Sequence, residues 1–147
     1  MRLYIDLSCF NRPFDDQGQE RIRLETEAVL LVLTRIVEGK DTLIWSWVMS
    51  FENDKHPKPE RRDEIAGWET RSERSIDVSD SLNQRARHFA RLGLPALDAA
   101  HLAAAETGGA EIVLTCDDRM RRRSERLGLA LRVLNPVAYL REVVGNG

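Results

Sequence analysis

The sequence predicts an α/β protein, a three-layer α/β/α sandwich around a central parallel sheet. Short apolar runs alternate with longer helical patterns along the whole chain. Strands separated by helices pair in parallel through crossovers. The runs are apolar on consecutive residues rather than on alternate ones, as strands covered on both faces are. The chain has 147 residues, 42% hydrophobic and 31% charged. At about 150 residues per domain this is a single globular domain over 1–147. No internal repeat, low-complexity tract or linker interrupts it.

The elements follow in order. Arg2–Leu7 is apolar at Leu3, Tyr4, Ile5 and Leu7 and reads as a buried strand. Asn11-Arg12-Pro13-Phe14-Asp15-Asp16 is loop chemistry. A long helix runs from Gln19 to Glu38 and closes at Gly39. Its first half is charged and its second half, Ala28 to Val37, is largely apolar and should be buried. Thr42–Trp45 is a second strand. Ser46 caps a short helix over Trp47–Asn53, which Pro57 and Pro59 stop.

Pro59 suits the first turn of a charged helix over Glu60–Glu73, and Ile76-Asp77-Val78 connects onward. Ser79 caps a helix over Asp80–Leu92. Pro95 opens an alanine-rich helix, Ala96–Thr107, closed by Gly108-Gly109. Glu111–Thr115 is the third strand and Asp118–Leu127 a basic helix ending at Gly128. Leu129–Leu134 is a fourth strand, and Pro136–Val144 is the terminal helix.

Composition excludes several classes. No apolar run approaches the ~18 residues of a membrane span. Asp6 lies where a signal peptide needs its apolar centre, so a cytoplasmic protein is expected. Cys9 and Cys116 are too few for a disulfide scaffold or a four-cysteine zinc site; buried apolar filler is the expected role. Net charge is −2. Residues 1–54 carry 10 acids and 6 bases, and residues 55–147 carry 14 and 16. A nucleic-acid surface must therefore be local rather than global.

In parallel α/β folds, sites form outside the carboxyl ends of the strands. Acids stand there. Asp6 ends the first strand, and Asp117 and Asp118 follow the third. Glu52 lies six residues past the Ser46 cap, and Asp98 is in the first turn of the alanine-rich helix. If the first and third strands are neighbours, Asp6 and Asp117 converge. Carboxylates sharing a cleft repel, and a hard divalent cation, Mg²⁺ or Mn²⁺, resolves the repulsion. Such an ion can assist phosphodiester hydrolysis.

These residues also carry a family resemblance. Asp6 with Ser8, Ser46-x₅-Glu52, Leu94-Pro95-Ala96-Leu97-Asp98-Ala99-Ala100-His101-Leu102-Ala103 and Leu114-Thr115-Cys116-Asp117 resemble the successive acidic motifs of PIN-domain nucleases. The match runs from about Leu3 to Val144 and includes Val133-Leu134-Asn135-Pro136. It is most similar to small prokaryotic PIN proteins of the VapC toxin type. The resemblance implies a PIN-like fold and a Mg²⁺- or Mn²⁺-dependent endoribonuclease acting on single-stranded RNA. It implies Asp6, Glu52, Asp98 and Asp117 as catalytic acids, with Asp6, Asp98 and Asp117 on the metal. Ser8 and Thr115 would support them. Glu25 or Glu27 is the alternative to Glu52, because the gap from Asp6 to Glu52 is long for the compact toxins. A homodimer and a small antitoxin partner are implied as well.

Other residues bear on the same cleft. Asn11 and Asp118 are further supporting candidates, although Asp118 also suits a helix cap. His101 shares a helical face with Asp98, where it either contacts substrate or hydrogen-bonds into the packing. Arg119, Arg122 and Arg123 are placed to hold a nucleic-acid backbone. Trp45 is expected in the core and Trp68 as an interface anchor. The exposed helices between Glu60 and Leu92 are the expected protein-contact surface. Two other readings stand beside the nuclease: a catalytically weak or inactive PIN-fold RNA-binding or regulatory module, and a purely structural interaction domain.

Overall fold

A computed structural model describes residues 1–145. Five parallel strands form its sheet in the order β3-β2-β1-β4-β5. They are β1 Arg2–Ile5, β2 Thr42–Ser46, β3 Arg74–Ile76, β4 Ile112–Leu114 and β5 Arg132–Leu134. The helices are α1 Leu7–Asn11, α2 Glu20–Val37, α3 Trp47–Asp54, α4 Pro59–Ala66, α5 Asp80–Arg91, α6 Ala96–Thr107, α7 Asp118–Glu125 and α8 Pro136–Val144. The expected α/β fold with a central parallel sheet is the one observed. α2 packs on α8, and α5 packs on α6. Right-handed crossovers require the connections running from β1 towards β3 and those returning to β4 and β5 to cover opposite faces.

Leu3, Tyr4, Leu43, Ile44, Trp45, Ile112, Val113 and Leu114 are all at most 1% exposed. This accounts for the apolar runs, because every residue of a doubly covered strand points into a layer. α6 is alanine-rich for a related reason. Ala99, Ala103, Ala104 and Ala105 are fully buried, and their small side chains bring the helix close to the sheet. α6 contacts β2 and α3, which carries Asp98 and His101 towards the strand ends.

Several boundaries differ from the sequence expectation. The first strand stops at Ile5, because Asp6 is the N-cap of α1 and Leu7 is already helical. The expected loop over Asn11–Asp16 is partly ordered as a 3₁₀ turn, Arg12–Phe14, with Pro13 in it. The charged helix expected over Glu60–Glu73 ends at Ala66. Gly67 opens a second 3₁₀ turn to Arg71, and the chain then enters β3. The sheet therefore has a fifth strand where Ile76 was expected in a connector. β3 is a three-residue edge strand in which only Ile76 is buried, so it carries almost no hydrophobic pattern.

Candidate functional site

The sheet order reverses at β1, which lies between β2 and β4. The crevice at the carboxyl ends of these strands is the switch point, where parallel α/β folds bind ligands. Asp6 sits at its base. Its backbone N–H donates to the Leu114 carbonyl at 2.8 Å, which extends the β1–β4 ladder by one residue.

The Asp6 carboxylate is held on one side by two hydroxyls. Ser8 and Thr115 both donate to Oδ2, at 2.8 and 2.9 Å. Each hydroxyl in turn accepts a backbone N–H from the turn after β4, Cys116 to Ser8 at 3.1 Å and Asp117 to Thr115 at 3.0 Å. Two consecutive amide donors are thus relayed onto one carboxylate oxygen. The other oxygen, Oδ1, faces the next group of residues.

That group comes from α3 and α6. The Ser46 hydroxyl accepts the Met49 N–H and starts α3, which brings Glu52 to the crevice. His101 is only 1% exposed. Its Nε2 lies 3.5 Å from Glu52 Oε2 and 3.9 Å from Asp6 Oδ1, and it has no hydrogen-bond partner. Its Nδ1 is 2.6 Å from the Tyr4 hydroxyl, which is 2.7 Å from Ser46 Oγ. One ligand atom from each of Asp6, Glu52 and His101 fits within a span of 4.8 Å.

Electrostatics link Asp98 and Asp117 to this cluster. Burial first, then the negative charges of Asp6 and Asp117, push the Asp98 carboxyl up to about 6; His101 and Arg123 pull the other way. Burial works against a charged His101, but the carboxylates of Glu52, Asp6 and Asp98 outweigh it and hold the imidazole above its ordinary value. Asp117 is exposed and caps α7, accepting the Arg119 and Met120 N–H groups on Oδ1 at 2.9 and 3.3 Å.

The donor set suits a divalent cation. Hard carboxylate oxygens converge from several elements, and a buried ring nitrogen without a partner is turned towards them. Asp6 and Glu52, with His101 beside them, are the residues that could hold such an ion, and Asp98 and Asp117 add negative charge to its field.

The remaining sequence candidates occupy distinct places. Glu25, the alternative to Glu52, is buried and occupied elsewhere. It accepts from Arg12 at 2.9 Å, from Arg21 at 3.3 Å and from Asn135 at 2.6 Å. Glu27 is exposed on α2. Asn11 accepts from Arg61 at 2.9 Å, so its amide oxygen is occupied away from the acids. Asp118 takes a two-pronged contact from Arg21, at 2.8 and 2.9 Å, which holds its carboxyl below the usual range. Arg119 and Arg122 join Arg12, Arg21, Asp117 and Asp118 around a polar cleft next to the acid cluster. Arg123 is exposed, and its charge reaches Asp98.

Cys9 and Cys116 are buried free thiols with sulfurs 3.7 Å apart. Burial, together with the Cys116 contact, pushes the Cys9 thiol well up. Trp45 is in the core, with its ring N–H donating to Ser50 at 2.9 Å. Trp68 packs on Phe10 and lines an apolar groove with Phe14, Leu30, Val37 and Ile65. The second half of α2 is buried on one face only, contrary to the expectation that it would be covered, and Leu24, Leu30, Leu31 and Val37 make α2 the element richest in exposed apolar side chains. The segment expected to supply protein contacts, Glu60 to Leu92, exposes only Val78 and Leu92 among its large apolar residues.

The contact of His101 with Tyr4 was the feature least visible in the sequence. Tyr4 in an apolar strand reads as core, and only the β1–β2 pairing beneath α6 reveals its hydroxyl as the anchor of the imidazole.

Neither a family model nor a curated protein sequence matches the chain. Solved structures do. VapBC2 from Rickettsia felis, crystallised bound to a DNA fragment from their promoter, aligns with a TM-score of 0.61 at 14% identity. The alignment covers 92% of this chain and 98% of that one. FitAcB from Neisseria gonorrhoeae aligns with a TM-score of 0.55 at 15% identity, over 91% of this chain and 97% of that one. At such identities the likeness establishes a shared fold, the α/β fold with a central parallel sheet expected from the sequence. No helix among the described residues is long and apolar enough to cross a membrane.

Proposed function

We propose that the protein is a Mg²⁺- or Mn²⁺-dependent endoribonuclease that hydrolyses phosphodiester bonds of single-stranded RNA, and that it is the toxin of a toxin–antitoxin pair. The observation that carries the reading is the Asp6 carboxylate. It is 8% exposed, fixed by two relayed hydroxyls, and shares its free oxygen's surroundings with Glu52 and His101. Ordinary turn acids are not built in this way. They face water, and nothing converges on them. The shared fold with VapBC2 and the acidic motifs support the toxin role together.

Roles follow from position. Asp6, Glu52, Asp98 and Asp117 form the catalytic acid set and share the metal, with Asp6 and Glu52 nearest to it and Asp98 and Asp117 closing round it. A divalent cation held there would offset their mutual repulsion and polarise a phosphodiester for in-line attack. Ser8 and Thr115 keep Asp6 in one rotamer, so no ordering is required when the site fills. Arg119, Arg122 and Arg123 hold the RNA backbone, since guanidinium groups match phosphate geometry in a two-pronged fashion. The apolar groove and the exposed face of α2 offer protein partners, an antitoxin and a second copy of the chain, somewhere to seat.

The test is cleavage of a mixed single-stranded RNA pool in Mn²⁺, with and without EDTA. Cleavage that EDTA stops and Asp6→Asn reduces at least a hundredfold is the expected result. Absence of metal-dependent cleavage, with Asp6→Asn still binding RNA like the parent, favours the RNA-binding module instead.

A further inference from the structure

We infer that His101 Nε2 is a nitrogen ligand of the cation held by the Asp6–Glu52 cluster, so that the site prefers a first-row transition-metal ion, Co²⁺ above Mn²⁺, over Mg²⁺. The inference rests on the proposed metal site and adds to it a donor that the four acids do not include.

Three observations carry it. First, Nε2 is buried and makes no hydrogen bond of good geometry, its nearest carboxylate oxygen, Glu52 Oε2, standing off at 3.5 Å, although buried ring nitrogens are almost always satisfied. Second, its distances fit a shared ion. Two ligand atoms each about 2.1 Å from one cation lie roughly 3.0 to 4.2 Å apart, from adjacent octahedral to opposite positions. Nε2 is 3.5 Å from Glu52 Oε2 and 3.9 Å from Asp6 Oδ1. Third, the opposite ring nitrogen is anchored. Nδ1 meets the Tyr4 hydroxyl at 2.6 Å, and that hydroxyl meets Ser46 Oγ at 2.7 Å. With the hydrogen on Nδ1 donated to Tyr4, and the Tyr4 hydrogen passed to Ser46, Nε2 presents its lone pair to the acids. Metal-binding histidines are held in this way, through the nitrogen away from the metal.

The preference follows from donor chemistry. An all-oxygen site suits Mg²⁺, whereas imidazole binds Mg²⁺ poorly and Mn²⁺ and Co²⁺ progressively better. The cation class is therefore set by a residue of α6 that the acidic motifs alone do not point to.

The test is pulsed electron paramagnetic resonance of the Mn²⁺-loaded full chain, with ¹⁵N-histidine labelling to assign any nitrogen coupling. Calorimetric titration of Mg²⁺, Mn²⁺ and Co²⁺ into the wild type and His101→Gln accompanies it. A histidine nitrogen coupling in the wild type is expected. His101→Gln should weaken Mn²⁺ and Co²⁺ at least tenfold and Mg²⁺ less than threefold. If the variant does not fold, the wild-type spectrum alone decides. Bound Mn²⁺ without nitrogen coupling overturns the inference and leaves the nuclease reading intact, with His101 then a hydrogen-bonding neighbour of Glu52. Bound Mn²⁺ with nitrogen coupling but no RNA cleavage does the reverse. A folded wild type that binds none of the three ions overturns both.

Discussion

Thr115 and Asp6 are 109 residues apart, and the hydroxyl of the first donates to Oδ2 of the second at 2.9 Å. The bond joins the end of β4 to the end of β1 at the point where the sheet order reverses. It also leaves Thr115 free to accept the Asp117 N–H, so one hydroxyl orients one acid and positions the backbone of another. The geometry of the crevice depends on this exchange.

Thr115→Val keeps the shape and removes the exchange. It leaves the Asp117 N–H without its acceptor and Asp6 with one hydroxyl donor. A loss of about 1–3 kcal/mol in urea unfolding is expected, together with a weaker response to Mn²⁺. An unchanged unfolding midpoint would show that the relay contributes nothing.

Asp98 supplies a pH prediction. Its folded carboxyl is raised to about 6, whereas an unfolded aspartate titrates near 3.9. Between these values the folded chain holds a proton that the unfolded chain has released. The stability this provides is present below about pH 4 and is lost as pH rises through about 6. In EDTA, Asp98→Asn should therefore be more stable than the parent at pH 7.5, by about 1–2 kcal/mol after allowance for solvent screening. The difference should vanish near pH 4. Thermal melts of both proteins across pH 4 to 8 measure it, and an Asn variant that is less stable throughout contradicts it.

Glu25 and Glu52 should separate cleanly. Glu25 is buried under Arg12, Arg21 and Asn135. Glu25→Gln removes the buried charge that Arg12, Arg21 and Asn135 share, while Asp15 and Asp118 still pair the two arginines, and should cost about 1–3 kcal/mol, with the Mn²⁺ response retained. Glu52→Gln removes a repulsive neighbour of Asp6. It should leave metal-free stability within about 1 kcal/mol and abolish most of the Mn²⁺ response. Paired melts with and without the ion distinguish the two, and the reverse pattern would return Glu25 to the site.

Much of this was legible in the sequence where covalent or apolar punctuation is strong. Ala96–Thr107 and Pro136–Val144 are bounded by proline or glycine, and their ends fall as expected. β3 escaped because an edge strand with one buried residue has no periodicity to read. The helix expected over Glu60–Glu73 ran too long because its charges continue past Gly67, and charge alone does not mark an end. For the site, the positions of Asp6, Glu52 and Asp117 after strands were visible, since strand ends are visible. The partners of Glu25 and Asn11, and the chain from Ser46 through Tyr4 to His101, were not. They join residues from different crossovers, and which side chains meet there is settled by packing rather than by spacing.

The central claim is that the acids at the crevice share one cation. Thermal melting of the wild type, Asp6→Asn and Asp98→Asn, each with EDTA and with millimolar Mn²⁺, tests it most directly. At about a hundredfold excess over Kd, a bound ion adds about 2.7 kcal/mol, roughly 5–10 °C for a chain of this size. The account predicts that rise for the wild type. It predicts little or none for either variant, with Asp98→Asn melting at or above the wild type in EDTA. A wild type that does not respond to Mn²⁺, with both variants melting lower than it in EDTA, would contradict a shared metal site.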